Sequence, residues 1–247
     1  ISGLTVGKGG GAVSTNTAVG YQSLYTNSSG PESTSIGYQA LYSATDGYNT
    51  ALGFKAGLNQ TTGDSNTYLG RYVAGVSAGV TGSYNTGVGA RAIQSLTSGT
   101  HTTAVGFQAG YSNTTGLYNI AIGADSLKSN TTASNNTAVG YQAAYSNTTA
   151  TYNTAVGYQA GYAGTTNGSN SYFGYVAGTS NSGTRNTAIG AASLNSGGSG
   201  SYNTSVGTES LSGTTSGAYN TAVGDSALKS NTTASQNTAV GYQAAYT

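Results

Sequence analysis

The sequence predicts an all-β chain, a parallel β-solenoid (β-roll) of about 17 residues per coil and about 14 coils. Three observations predict it. Glycine recurs at a near-constant step: Gly20, Gly37, Gly53, Gly70, Gly89, Gly106, Gly123, Gly140, Gly157, Gly174, Gly190, Gly207, Gly224 and Gly241. Most steps are 17 residues, two are 16 and one is 19. A fixed short period means one small unit stacked on copies of itself. The four residues before each glycine follow N-T-A-V, in which two β-branched positions of like parity flank a small one. Finally, 40 glycines and no 3.6-residue apolar period exclude helices.

Counting each unit from its glycine at position 0, position −1 is Val, Ile or Leu in almost every unit, with Phe173 the exception. Position −3 is Thr apart from Ile120 and Ser171, and position −2 is small apart from Tyr68 and Tyr172. Position −4 is Asn in twelve units and position +3 is Ala or Ser except for Val73. N-T-A-V reads as a short strand whose side chains alternate faces. The aliphatic residue is assigned to the core: Val19, Ile36, Val105, Ile122, Val139, Val156, Val223 and Val240. Ala at −2 and Gly at 0 then form a smooth outward stripe. The polar stretch around S-N-T-T-G supplies turns, leaving room for two short strands per coil. Equivalent residues stack in register at ~4.8 Å, giving a rod of roughly 65 Å. Asn at −4 forms a ladder from coil to coil, and Tyr at −5 and +1 forms stacked aromatic columns. The repeat glycine marks either a turn with φ > 0 or a close approach of another backbone.

Residues 1–15 read as an irregular Gly-rich first coil and 16–247 as the solenoid. A longer repeat of six coils, about 103 residues, runs through it. Asp125 and Asp225 open near-identical segments, and the odd coils with Tyr68 and Tyr172 correspond. Those two tyrosines are assigned as interchain contacts that protrude from the smooth stripe. Since there is no Met, Ile1 is read as a processed or internal start, and the C-terminal coil is expected to be covered.

Composition narrows the function. Charged residues are 5% of the chain and the net charge is +1, with the basic residues scattered singly. Without a basic patch no nucleic-acid partner is expected. No apolar run is long enough for membrane insertion in this segment. Disorder is set aside because 21 tyrosines and a regular aliphatic column are present. At ~25 cal/mol/Å², the thin core leaves a lone chain marginal. A homo-oligomer, side by side through the Ala/Gly stripe, follows as an expectation.

The A-V-G and A-I-G units, preceded by Asn and followed by a small residue, resemble the head repeats of trimeric autotransporter adhesins. The string NTAVGYQA at 153–160 with YSNTTG at 111–116 is similar to repeats of phage tail-fibre-like and large bacterial surface proteins. The resemblance implies a left-handed β-roll, three chains side by side, and an extracellular, cell-surface or virion-surface place.

No catalytic, metal or cofactor site is expected. His101, the sole histidine, stands in the −5 tyrosine column and lacks partners for a metal or a triad. Glu32, Asp46 and Asp64 are near one-coil spacing, which reads as turn acids ahead of a weak Ca²⁺ pair. Sequons at Asn27, Asn59, Asn113, Asn130, Asn135, Asn147, Asn167, Asn203 and Asn231 suggest a sugar-bearing edge. The expected function is a non-catalytic extracellular fibre, the shaft or head of an adhesin or tail-fibre-like protein, with itself and a cell-surface or glycan receptor as partners. Two alternatives stand beside it. One is a filament subunit that polymerises end to end. The other is an ice-binding solenoid, discounted because the −3 threonines share parity with the valines placed inside.

Overall fold

In the computed structural model, the described residues are 6–75, 79–164 and 166–246. They contain strands, turns and bends and no helix. The chain divides into two compact units, Ile1–Ala124 and Asp125–Thr247. In the first unit, β1 (Val6–Gly7) precedes seven strands of three residues. These are β2 (Thr17–Val19), β3 (Thr34–Ile36), β4 (Thr50–Leu52), β5 (Thr67–Leu69), β6 (Thr86–Val88), β7 (Thr103–Val105) and β8 (Ile120–Ile122). Strands β2 to β8 pair in sequence order, all parallel, and each residue faces the same repeat position one coil on, as in Thr50↔Thr67 and Ala104↔Ala121. Strand β1 is antiparallel to β2, with Gly7 opposite Ala18. The Gly-rich segment after β1 continues over the first coil, where the Gly10 amide donates to the Leu24 carbonyl at 2.9 Å.

The second unit repeats the arrangement with β9 (Thr137–Val139), β10 (Thr154–Val156), β11 (Ser171–Phe173), β12 (Thr187–Ile189), β13 (Thr204–Val206), β14 (Thr221–Val223) and β15 (Thr238–Val240). These too are parallel and in register. The chain is thus a parallel β-solenoid of about 17 residues per coil.

Among the described residues each coil carries one named strand, where two were expected. The reason lies in the residues after the glycine. In each coil φ is positive at both +2 and +4, as at Gln142 (+53°) and Ala144 (+49°) or Glu209 (+54°) and Leu211 (+48°). Alternation of left-handed with ordinary residues curls this stretch instead of extending it. Its amides still bond to the next coil. Leu211 N–H donates to Ala227 O at 3.0 Å, and Ser146 N–H to Tyr162 O at 2.9 Å. Backbone pairing is therefore carried around the coil without a second strand.

The repeat glycine meets both conditions proposed for it. From Gly20 to Gly241 its φ lies between +119° and +142°. A Cβ on Gly157 would lie 2.3 Å from the carbonyl oxygen of Gly174. The turn is left-handed, and the next backbone occupies the space of a side chain.

The faces of the strand are the reverse of the sequence expectation. The −2 residue points inward: Ala51, Ala104, Ala155 and Ala222 are buried, while Thr and Val on either side face outward. Val19, Val105, Val139, Val156 and Val223 are half-buried, and Ile36, Ile122 and Val240 are exposed. None belongs to the core. The interior is narrow, and the strand admits only a small side chain opposite the true apolar column. That column is +4: Leu24, Leu41, Ile93, Leu127, Leu194, Leu211 and Leu228 are buried, with Ala or Ser at +3 beside them. Apolar residues are not obliged to lie inside, and at −1 a β-branched residue serves the strand itself.

Candidate interaction surface

The interior explains which side chains are left for a surface. Asn at −4 holds each coil closed and joins it to the next. In the second unit, Asn136 Oδ1 accepts from the Asn153 amide at 2.9 Å, and Asn136 Nδ2 donates to Ala150 O, the end of its own coil, at 2.9 Å. The pattern recurs at Asn203, which accepts from the Asn220 amide at 2.9 Å and donates to Gly217 O at 2.9 Å. In the first unit Asn66 and Asn85 do the same. The ladder runs mainly from side chain to backbone, with an amide-to-amide rung at its last step, where Asn237 Nδ2 donates to Asn220 Oδ1 at 3.0 Å. It satisfies backbone groups that the thin core buries. A second asparagine column, at +7, clamps the last turn: Asn147 Oδ1 accepts from the Ala150 amide and its Nδ2 donates to the Ala150 carbonyl. Sequence reasoning read this column as glycosylation sites. Asn27, Asn113, Asn130, Asn147 and Asn231 are buried, as is Asn203 in the −4 column, so the folded chain hides these six sequons.

Tyr68 and Tyr172 are interior as well, at 0% and 3% exposure, and are not interchain contacts. Both enter the −2 column where leucine is missing from +4. A Cβ on Gly57 would meet the Tyr68 ring at 2.8 Å, and Cβ atoms on Gly161 and Gly178 would meet the Tyr172 ring at 2.8 and 2.4 Å. Each tyrosine fills the volume that glycine leaves. Its hydroxyl finds a +7 side chain: Tyr68 donates to Gln60 Oε1 at 2.8 Å and Tyr172 to Asn181 Oδ1 at 3.2 Å. Burial pushes both hydroxyls well above the ordinary phenol range. Buried serines are likewise paired. Ser35 and Ser205 replace Ala at −2 and meet Ser23 and Ser193 across the interior at 2.7 Å. Reading columns jointly rather than singly would have found both compensations in the sequence.

The outward face consists of the −3 and −1 columns. No charged residue falls in either. In the first unit, Leu52 and Leu69 are 45% and 42% exposed. In the second, Ile189 is 42% exposed. Threonine hydroxyls of the −3 column make no hydrogen bond to protein among the described residues. Those of the +8 column do: Thr97 Oγ1 donates to Thr114 O at 3.0 Å and Thr215 Oγ1 to Thr232 O at 3.0 Å.

Aromatic columns border this face. At +1, Tyr21, Tyr38 and Phe54 stack with centroids 5.3 and 5.2 Å apart, and Tyr141, Tyr158 and Tyr175 with centroids 5.5 and 5.3 Å apart. At −5, His101 lies between Tyr84 and Tyr118 at 4.9 and 4.8 Å, a substituted rung of the ladder. A further column, at +5, stacks Tyr25 on Tyr42 and Tyr145 on Tyr162. Glutamines at +2 extend the pattern, Gln39 Nε2 donating to Gln22 Oε1 and Gln159 to Gln142, each at 2.8 Å.

The acids lie at turns. Asp46 and Asp64 line a shallow depression with Tyr48, and Lys229 pairs with Glu209. Among the described residues no group of three or more His, Cys, Asp or Glu assembles. Among these residues no helix is long and apolar enough to cross a membrane. No family model, curated protein or solved structure matches the chain.

Proposed function

We propose that this chain is a non-catalytic structural solenoid, a shaft or head segment of an extracellular fibre of adhesin or tail-fibre-like type. Its −3/−1 face seats further copies of itself, as in a three-chain bundle. One observation carries the reading: an uncharged apolar column, aliphatic except at Phe173 and half-buried to exposed, recurs through the coils of each unit. Water-facing apolar stripes of this extent mark contact surfaces. The self-association once assigned to the Ala/Gly stripe moves to this face, because the alanines are interior. A cell-surface or glycan receptor and an extracellular place belong to the same proposal. Light scattering tests it. The wild-type chain should give an oligomeric mass, and Ile189→Lys with Val206→Lys should give a folded monomer. A monomeric wild-type chain at micromolar concentration overturns the reading.

A second reading is favoured by the threonine column. The −3 threonines, expected inside or at an edge, face outward with free hydroxyls on a regular sheet. Thermal hysteresis that is lost in Thr154→Tyr would support ice binding. Its absence in the wild-type chain removes it.

A further inference from the structure

We infer that the stacked tyrosine pairs are sites of oxidative coupling, which would link successive coils through dityrosine. The chain holds 21 tyrosines and no Trp, Cys or Met. The thiol and thioether groups that ordinarily take up oxidising equivalents are therefore missing, and one-electron oxidation falls on the phenols.

The fold sets those phenols in pairs. Tyr202 and Tyr219 are both exposed, with centroids 4.8 Å apart and ring planes 8° apart. Tyr145–Tyr162 and Tyr25–Tyr42 stack at 5.1 and 5.2 Å, with ring planes 13° and 12° apart. In-register stacking gives both rings the same orientation one coil apart, so their ortho carbons lie along the same edge. Offset contact of this kind also stabilises the pair before reaction.

The co-reactant is a peroxide acting through a haem peroxidase. Each tyrosine gives up one electron and its phenolic proton. The two radicals couple at their ortho carbons, a C–C bond forms, and each ortho C–H proton moves to the phenolic oxygen. The protein loses two hydrogens in all, and hydrogen peroxide takes them up with two electrons to become two waters.

The same chain contains its own controls. Tyr68 and Tyr172 are buried. Tyr118 stacks on His101, which cannot couple in this way. Tyr111 has Gln94 and Lys128 at its repeat position in the adjoining coils.

Tryptic cleavage isolates both cases. Peptide 186–229 holds Tyr202 and Tyr219 as its only tyrosines, and peptide 92–128 holds Tyr111 and Tyr118. After treatment of the folded chain with peroxidase and hydrogen peroxide, peptide 186–229 should lose two hydrogens in mass and show dityrosine fluorescence. Peptide 92–128 should keep its mass. Tyr219→Phe, which retains the stacked ring, should abolish the change in 186–229 alone. Equal loss in both peptides, persistence in Tyr219→Phe, hydroxylation without coupling, or cross-links only between chains would each overturn the proposal.

Discussion

Single residues in this chain are chosen by what the neighbouring coil leaves open. Gly157 lies at φ +135° with the Gly174 carbonyl where a Cβ would go. Gly157→Ala should therefore destabilise the chain by about 3 kcal/mol or more, through left-handed strain and overpacking together. Urea unfolding would show it. Tyr68 and Tyr172 make the counterpart case, since they occupy space rather than vacate it. Their hydroxyls titrate near pH 10 in the unfolded chain, and burial holds them higher in the fold. Below about pH 10 both states keep the proton and stability is full. Above it the unfolded chain releases protons that the folded chain retains, so stability falls as pH rises. The melting temperature should drop above about pH 10, and less steeply in Tyr68→Phe with Tyr172→Phe.

At the scale of the element, the unit is one three-residue strand and the turns that return to it. Its period, its β conformation and its alternation were legible in the glycine step and in N-T-A-V. Which face is buried was not. Hydrophobicity ranked Val156 above Ala155 for the interior, but space decides, and the narrow coil takes Ala while Leu at +4 supplies apolar volume. The signal lay in the column with least tolerance for size: position −2 departs from small only at Tyr68 and Tyr172, next to a glycine at +4. The curled half of the coil was less legible, because glutamine and leucine at φ > 0 have no sequence signature. The corrected faces make a paired prediction. Ala155→Asp should destabilise by about 3 kcal/mol, as an unpaired charge would enter the core. Val156→Asp should stay within about 1 kcal/mol in the isolated chain. Chemical denaturation of the two variants measures the difference, and equal effects would reverse the faces again.

For the whole molecule, the outward columns decide more than the interior does. The interior is closed by asparagine ladders and compensated tyrosines and serines. The surface offers an uncharged apolar and threonine face whose side chains repeat coil by coil within each unit. If copies associate through this face, association stabilises only the folded state, and stability must rise with protein concentration. The melting temperature of the wild-type chain should therefore increase over a hundredfold concentration range, by an amount set by about 2.7 kcal/mol of linkage. Ile189→Lys with Val206→Lys should melt at one temperature throughout, because two ammonium groups on the face would need a partner that the uncharged columns do not contain. A wild-type melting temperature independent of concentration would leave the threonine hydroxyls open to solvent and shift the weight to a surface that orders water.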